Sequence, residues 1–338
     1  MPPRTIPLLA LADLEPGQEA DLFALLFLKE ELLTRDRKPY WKVGFRDARR
    51  EVVFPIWSDA PWAAECRAEW TIGVYYKLRA VYRETPYGGQ LEIVKIRETT
   101  ESDRADGFDP TMCLPQSHRD PRAMFDELCA LVADEIAPGT LRALVMRLLE
   151  DEREGWLALP AARRNHHAYV GGLVEHTLSV AHTAVYLARK YATAYTDLDP
   201  PLDTELVVAG AVLHDVGKLR ELEQRPEAAV FTPEGALAGH VILGRDLVRA
   251  VAADVGLAGE RLLRLEHVIL SHQRLPEWGS PKPPMTPEAL LVHYADDVDA
   301  KFQMMFAALA AARGDERLTT SRHPLGYPLY RGESARDG

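Results

Sequence analysis

Cysteine is scarce in this chain of 338 residues, and the three present, Cys66, Cys113 and Cys129, stand far apart. An odd number without a C-x-x-C pair argues against a disulfide framework and against a cysteine-based zinc site. A reducing compartment suits such a chain, so we expect a cytoplasmic protein.

Long apolar runs are missing as well. Because no stretch of about 18 apolar residues occurs, we expect no membrane span and no membrane partner. The opening residues, Met1-Pro2-Pro3-Arg4, lack an extended apolar segment, so we also expect no signal peptide.

An excess of positive charge is absent too. The net charge is -11, which on its face argues against a nucleic-acid partner. The distribution changes that view, because residues 1–100 are neutral overall and the whole negative excess lies in the rest of the chain. Cations bound in that second part would offset some of it.

Short alternating segments separated by turn residues fill the first hundred residues. Alternation with period two predicts β-strands, and five such segments predict a small barrel. An OB-fold has this size and this number of strands. The segments are residues 22–28, 40–47, 52–57, 70–83 and 91–97.

The pattern becomes helical after a polar, proline-interrupted stretch at 99–120. No strand alternates with these helices, so the second part is predicted to be all-α. The whole chain is therefore expected to be a multidomain β plus all-α protein, with an N-terminal OB-fold-like barrel at 1–100, a linker with connecting helices at 101–158, a helical domain at 159–313 and an arm or tail at 314–338. The predicted helices are 125–136, 141–149, 173–191, 205–213, 237–255, 261–271 and 287–312.

Polar residues interrupt three apolar helical segments. His176 lies on the first, the pair His214-Asp215 ends the second, and Asp296 follows the apolar run at 290–295 of the third. Burying such groups is costly unless they find partners, so their convergence on one cation is the economical explanation. Imidazole nitrogen and carboxylate oxygen suit Mn, Fe, Co, Ni or Zn.

A second cation site is predicted from His240, His267 and His272, with Asp215 as a bridge because its carboxylate has two oxygens. The five-residue spacing of His267 and His272 is poor for one helix face unless the helix ends near Ser271. Two such cations would polarise a bridging water and clamp phosphate oxygens. One turn beyond His214, Lys218 could neutralise charge developing on the phosphate.

The string Asn165-His166-His167-Ala168-Tyr169-Val170-Gly171-Gly172 precedes the first of these helices. Gly171 and Gly172 could present backbone N–H groups to a phosphate, with His166 or His167 at the substrate entrance. A tight interhelical turn would explain the two glycines equally well.

Residues 35–50 hold seven cations and two acids, interleaved with aromatic rings. Cations that bind a phosphate backbone and rings that stack on bases are the means by which OB-folds hold single strands. The candidates are Arg37, Lys38, Trp41, Lys42 and Phe45. An equally good alternative places the rings in the barrel core and leaves the charges solvated.

The order of His176, His214-Asp215 and Asp296 resembles the metal-dependent HD phosphohydrolases. With the strings 165–176, 213–218, 239–240, 270–272 and 277–284, the chain is similar to the YhaM-type 3′→5′ exoribonuclease family, which joins an N-terminal OB-fold to a C-terminal HD domain. One departure is Gln273, which stands where the family pattern has a second histidine. The resemblance implies Asp296 as a ligand, stimulation by Mn or Co, and hydrolysis of single-stranded RNA, and often DNA, from the 3′ end.

The resulting hypothesis is a cytoplasmic exonuclease that releases mononucleotides, uses one or two divalent ions with Mn favoured, and carries Asp215 and Lys218 as catalytic residues. One rival is an HD phosphohydrolase of nucleotides or cyclic dinucleotides. Another is a single-strand-binding protein with an inactive HD half. Self-association is left open.

Overall fold

The structure is a computed structural model that describes residues 6–86, 88–163, 165–225, 228–312 and 317–332. The start Met1–Arg4, and residues 314–316 and 333–338 of the predicted tail, lie outside the described residues. The chain forms two compact units, one up to Gln116 together with 224–228, the other from Ser117 onward without that segment. Among the described helices, none combines the length and the apolar character needed to cross a bilayer.

The first unit is built around a five-stranded antiparallel sheet in the order β3-β2-β1-β4-β5. Strands β3 and β5 also pack against each other, which closes the sheet into a barrel. One helix between the third and fourth strands completes the arrangement of an OB-fold, as predicted. The elements are β1 Glu19–Leu33, β2 Pro39–Arg46, β3 Glu51–Trp57, α1 Ala63–Ala68, β4 Tyr75–Thr85 and β5 Gly88–Glu98.

The barrel continues beyond the predicted boundary at residue 100. A 3-10 turn, Glu101–Asp106, follows β5, and its buried Asp103 pairs with Arg97 and Lys77. The Phe108 ring then packs 5.1 Å from the Phe23 ring of β1. These contacts attach the polar stretch to the barrel, so the first compact unit ends at Gln116 rather than at 100.

The second unit is helical, as predicted, apart from a short hairpin formed by β6 Leu222–Gln224 and β7 Ala229–Phe231. The seven predicted helices are all present, and the short α4 and α7 are additions. The helices are α2 Pro121–Glu135, α3 Thr140–Asp151, α4 Arg153–Ala158, α5 Gly172–Ala194, α6 Thr204–Leu213, α7 Lys218–Glu221, α8 Pro233–Val255, α9 Gly259–Ser271 and α10 Pro287–Ala311.

Helix α6 occupies the centre of this unit. All eight residues from Leu206 to Leu213 are buried, as expected for a helix that is apolar on every face. Helices α3, α5, α9 and α10 pack around it. The predicted connecting helices also belong to this core, since Phe125 of α2 and Leu144 of α3 are buried in the same cluster. The C-terminal end of α6 therefore delivers the next residues, His214 and Asp215, into the protein interior.

The described part of the C-terminal segment, 317–332, forms a packed arm. Leu318 pairs with Tyr330 in an antiparallel bridge, and Leu329 is buried.

Candidate metal centre

Three helices bring four donor atoms together. The Nε2 atom of His176 on α5 lies 3.2 Å from Nε2 of His214, 3.5 Å from Oδ2 of Asp215 and 3.3 Å from Oδ1 of Asp296 on α10. The His214 Nε2 atom is 3.4 Å from the same Asp215 oxygen. Donors bound to one ion at about 2.1 Å lie roughly 3 to 3.5 Å apart, so these distances fit a common cation.

A second group forms around the other oxygen of Asp215. Its Oδ1 atom lies 3.5 Å from Nε2 of His240 on α8 and 3.6 Å from Nε2 of His272 at the end of α9. Asp215 Oδ1 and His240 Nε2 are buried and have no hydrogen-bond partner among the described residues. The Asp215 carboxylate thus faces imidazoles on both sides. The amide nitrogen of Gln273 lies 3.2 Å from His272 Nε2, at the edge of this second group.

Glycines make this convergence sterically feasible. A Cβ atom on Gly217 would lie 1.9 Å from the carbonyl oxygen of His240, so only glycine lets α8 approach the turn after Asp215. Gly239, with φ +74°, breaks α8 just before His240. The side chain of Glu221 accepts the His240 backbone N–H at that break, at 2.8 Å. His240 is held against Asp215 by these three features together.

Each of the four histidines has its other ring nitrogen occupied. The Nδ1 atom of His176 bonds Asp299 at 2.7 Å, and that of His240 bonds Glu221 at 3.1 Å. The Nδ1 atoms of His214 and His272 donate to the backbone oxygens of the residues three positions earlier, at 2.7 Å each. With Nδ1 carrying the proton, each neutral ring presents a lone pair on Nε2 to the centre.

These orientations explain why the residues fit metal ions. Neutral imidazoles whose Nε2 lone pairs face each other at 3.2 Å, with carboxylate oxygens between them, are all acceptors and repel one another. A cation or a proton must lie among them. Burial opposes a charge on His176, but hydrogen bonds to Asp296 and Asp299 outweigh it and raise its pKa to about 9.

The carboxylates of the site are ionised despite their burial. Burial opposes ionisation of Asp215, but Lys218 and His214 outweigh it and hold its pKa well below the usual range. The pKa values of Asp296 and Asp299 are lowered in the same way, chiefly by hydrogen bonds from His176 and from His167 respectively. Ionised carboxylates buried so close together would be neutralised by a divalent cation bound between them.

The comparisons with known proteins agree with this geometry. A family model described as HD domain matches residues 173–301. The 3′-5′ exoribonuclease YhaM of Bacillus licheniformis is 32% identical over 306 residues, which cover 89% of this chain and 91% of that protein. The chain belongs to the YhaM exoribonuclease family. The resemblance inferred from the motifs is thereby confirmed.

The second OB-fold domain of replication protein A from Methanococcus maripaludis, a solved structure, matches 28% of this chain and 96% of that domain. Its sequence identity is 13% and its TM-score 0.22. A TM-score this low adds nothing to the OB-fold assignment of this YhaM-family chain, which depends on the strand order.

Two further residues of this family member line the site. Lys218 is buried, and its Nζ atom donates to Asp215 Oδ2 at 2.5 Å, so it is not a solvated helix-end lysine. The His166 ring lies 5.2 Å from the His176 ring. Burial, together with the positive charges of His176 and Lys218, lowers the pKa of His166 to about 3 and keeps it neutral.

Three predictions for the entrance loop were wrong. His167 is buried, and its nitrogens bond Tyr169 and Asp299, so it supports the site rather than meeting substrate. Gly171 and Gly172 are buried, and the Gly172 amide donates to the Tyr169 carbonyl at 2.9 Å, which removes the predicted phosphate seat. A Cβ on Gly172 would lie 2.0 Å from the His167 carbonyl oxygen, so the glycines serve a tight turn.

The prediction of His267 as a metal ligand was also wrong. Its Nε2 atom accepts the backbone N–H of Met285 at 2.8 Å, and so it points at the loop before α10. His272, five positions later, lies just past the last residue of α9 and turns the other way, toward Asp215. The two side chains leave the helix end in different directions.

The prediction that two rings of the barrel stack on bases was wrong as well. Trp41 is 6% exposed and Phe45 is fully buried, and both belong to the barrel core. They lie on the inward side of β2 with Val43, while Lys42 points outward. Arg37, Lys38 and Lys42 are exposed, but no ring of the predicted pair accompanies them on the surface.

Two residues that support the site, Glu221 and Asp299, are not among the ligands predicted from the sequence. Asp299 was detectable, because it lies one helical turn after Asp296. Nothing in the sequence pointed to Glu221, since its contact with His240 depends on the path of the chain through the β6–β7 hairpin and the break at Gly239.

Proposed function

We propose that this chain is a metal-dependent 3′→5′ exoribonuclease. Membership of the YhaM family over nearly its whole length supports the proposal. The observation that carries it is the Asp215 carboxylate, which is shared between two groups of inward-facing imidazoles. That arrangement is suited to two neighbouring cations acting on a phosphodiester.

We assign His176, His214, Asp215 and Asp296 to one ion, and Asp215, His240 and His272 to the other. Mn is the favoured ion, and Co, Fe, Ni or Zn share its preference for these donors. When bound, such ions lower the pKa of a water and neutralise charge on phosphate oxygens.

The protein's own residues set the position and charge of the substrate. Lys218 Nζ lies at Asp215 and would hold a phosphate oxygen as negative charge accumulates on it. His166, which burial keeps neutral, faces the same space and can donate a hydrogen bond without competing for the cations. Asp299 and Glu221 accept hydrogen bonds from His176 and His240 respectively and so fix the orientation of the two rings.

The assay is hydrolysis of 5′-labelled single-stranded RNA in Mn, with a free or a blocked 3′ hydroxyl. We expect stepwise shortening of the free strand and protection of the blocked one. Asp296→Asn should abolish the reaction, while Asp297→Asn, on the same helix but paired with Lys301 at the surface, should not. Equal cleavage of both strands, or equal effects of the two substitutions, would overturn the proposal.

Two rival functions remain to be compared. One is hydrolysis of small nucleotides or cyclic dinucleotides, and the other is binding of a single strand without catalysis. The matched relative extends through both compact units, which supports a polymer-degrading enzyme over either rival. Under the proposed function, RNA is degraded faster than any mononucleotide is hydrolysed. Single-stranded DNA as a second substrate, and a cytoplasmic location, are further parts of the proposal.

Self-association is also part of the proposal. Five exposed apolar side chains on α10 recur every four residues and so form one stripe: Leu290, Tyr294, Val298, Phe302 and Phe306. A contiguous apolar patch of this kind supports burial against another surface. Analytical ultracentrifugation of the intact chain and of Phe302→Glu tests it.

A further inference from the structure

Four cations stand together on the outer side of the barrel. Strands β4 and β5 are antiparallel, and their register places Lys77 opposite Arg97 and Arg79 opposite Lys95. Leu78, which lies between Lys77 and Arg79 on β4, is buried in the core. Because alternate residues of a strand face opposite sides, all four charges share the outward face. We call these residues the β4–β5 cation block.

A cavity of about 460 Å³ opens at this block. The ring of Trp62, just before α1, forms part of its wall and is held in place by a hydrogen bond from its Nε1 to the Ile93 carbonyl at 2.7 Å. The cavity volume is in the range of pockets that hold small ligands. Besides the four cations, its lining residues are Asp21, Trp62, Leu78 and Ile96.

Three acids hold three of the four cations in place: Asp21 pairs with Arg79, Asp103 with Arg97 and Lys77, and the exposed Asp106 with Lys77. Arg79 forms two hydrogen bonds with Asp21, and Arg97 forms two with Asp103. The Asp103 side chain is 2% exposed while that of Arg97 is 50% exposed, so the cation lies on the solvent side of its partner. Lys95 is exposed and has no ion pair among the described residues.

We propose that the β4–β5 cation block and Trp62 form the site at which the barrel binds the phosphodiester backbone of a single strand. This inference rests on the proposed function for the nature of the strand. Cations placed at fixed positions suit a polyanion, and a ring in the same cavity offers a stacking surface for a base. An acidic polypeptide could use the charges but not the ring, so a nucleic acid fits better.

Lys95→Ala and Lys95→Glu test the site, with Lys95→Arg as the charge-preserving variant. Arg67→Glu is the matched control, because Arg67 is an exposed cation of α1 outside the cavity, and the charge change equals that of Lys95→Glu. Binding of a fluorescein-labelled single-stranded RNA is measured by anisotropy without divalent metal, so that no strand is consumed. Polyglutamate of similar length is the competitor.

Loss of one phosphate contact lowers the slope of log affinity against log salt by about 0.7 for a single strand, which corresponds to about fivefold in affinity at roughly 0.1 M salt. We expect that loss for Lys95→Ala, at least about tenfold for Lys95→Glu, and wild-type binding for Lys95→Arg and Arg67→Glu. KM for RNA should rise in Lys95→Glu while kcat is retained.

Equal losses in Lys95→Glu and Arg67→Glu would overturn the site, because only net charge would then matter. Displacement of RNA by polyglutamate at equal concentration would also overturn it. The two proposals can fail separately. If strand binding depends on Lys95 but the wild-type chain has no RNase activity, only the proposed function is refuted. Normal RNA degradation with binding indifferent to Lys95 refutes only the cation block.

Discussion

Asp299 is the residue whose substitution tests most directly whether a supporting carboxylate strengthens a metal ligand. Its carboxylate accepts hydrogen bonds from His176 Nδ1 at 2.7 Å, from His167 Nε2 at 3.0 Å, and from the Ser179 hydroxyl. In Asp299→Asn the amide oxygen can still accept from both rings, and the amide nitrogen can donate to Ser179. The shape and the hydrogen bonds are kept, and the negative charge is lost.

The size of the effect follows from that difference. Hydrogen bonds to a charged group contribute about 1.5 to 3 kcal/mol and neutral ones about 0.5 to 1.5 kcal/mol, so the His176 bond loses roughly 1 to 1.5 kcal/mol. A change of about 1.4 kcal/mol is tenfold in a dissociation constant. We therefore expect Mn to bind about tenfold more weakly to the His176 group, at the lower end of the range for such supporting residues.

Isothermal titration of metal-free protein with Mn measures this affinity, and Asp297→Asn serves as the control. Asp297 lies two residues before Asp299 on α10 and pairs with Lys301 at 2.7 Å, away from the imidazoles. Urea unfolding should show that Asp299→Asn still unfolds in one cooperative transition, so that weaker Mn binding is not a loss of the fold. If both variants bind Mn as the wild-type protein does, the Asp299 charge does not strengthen the His176 ligand and the reasoning fails.

Three further predictions concern other parts of the chain. Asp103→Asn should destabilise the barrel by about 2 to 4 kcal/mol in urea unfolding, because it leaves two cations without their buried partner. Hydrogen bonds from Arg97 outweigh burial and lower the pKa of Asp103, so its contribution is present above the ordinary carboxyl pKa and declines as pH falls below it; wild-type unfolding at pH 3 and pH 6 should differ more than that of Asp103→Asn. Gly217→Ala should lower metal content, measured by mass spectrometry of the bound ions, because its methyl group would collide with the His240 carbonyl. His267→Ala should leave metal content unchanged, and a loss of one ion would show that His267 is a ligand after all.

Most of the fold could be predicted from the sequence because its elements are long and strongly periodic. Every predicted strand and helix is found, and the missed helices α1, α4 and α7 have six residues or fewer. So short a helix shows no complete apolar stripe, and its formation depends on the neighbours it packs against. The boundary at 100 was placed too early, because ion pairs and ring contacts attach a polar segment to the barrel.

The metal ligands were predictable where a polar residue interrupts an apolar helix. His176, His214 and Asp296 satisfy that condition, and the structure brings them together. His267 does not satisfy that condition, because α9 has one apolar face and one exposed face. Where α9 ends therefore decides which of its histidines turns inward. A residue just beyond a helix end has no face that periodicity can assign.

On the barrel surface, too, prediction from the sequence was limited by contacts that form only in the fold. Trp41 and Phe45 share their side of β2 with Val43, and three apolar residues in alternate positions already indicated the core side. The cations of the β4–β5 block lie up to twenty positions apart in the sequence and become neighbours only through strand register. Local density of Arg and Lys therefore drew attention to 35–50, although pairing between strands also brings cations together at β4 and β5. Arg97 remains half-exposed although it is paired, because its partner Asp103, six residues further along the chain, is buried beneath it. The exposure of each cation therefore matters as well as the sum of the charges when the barrel's attraction for a polyanion is judged.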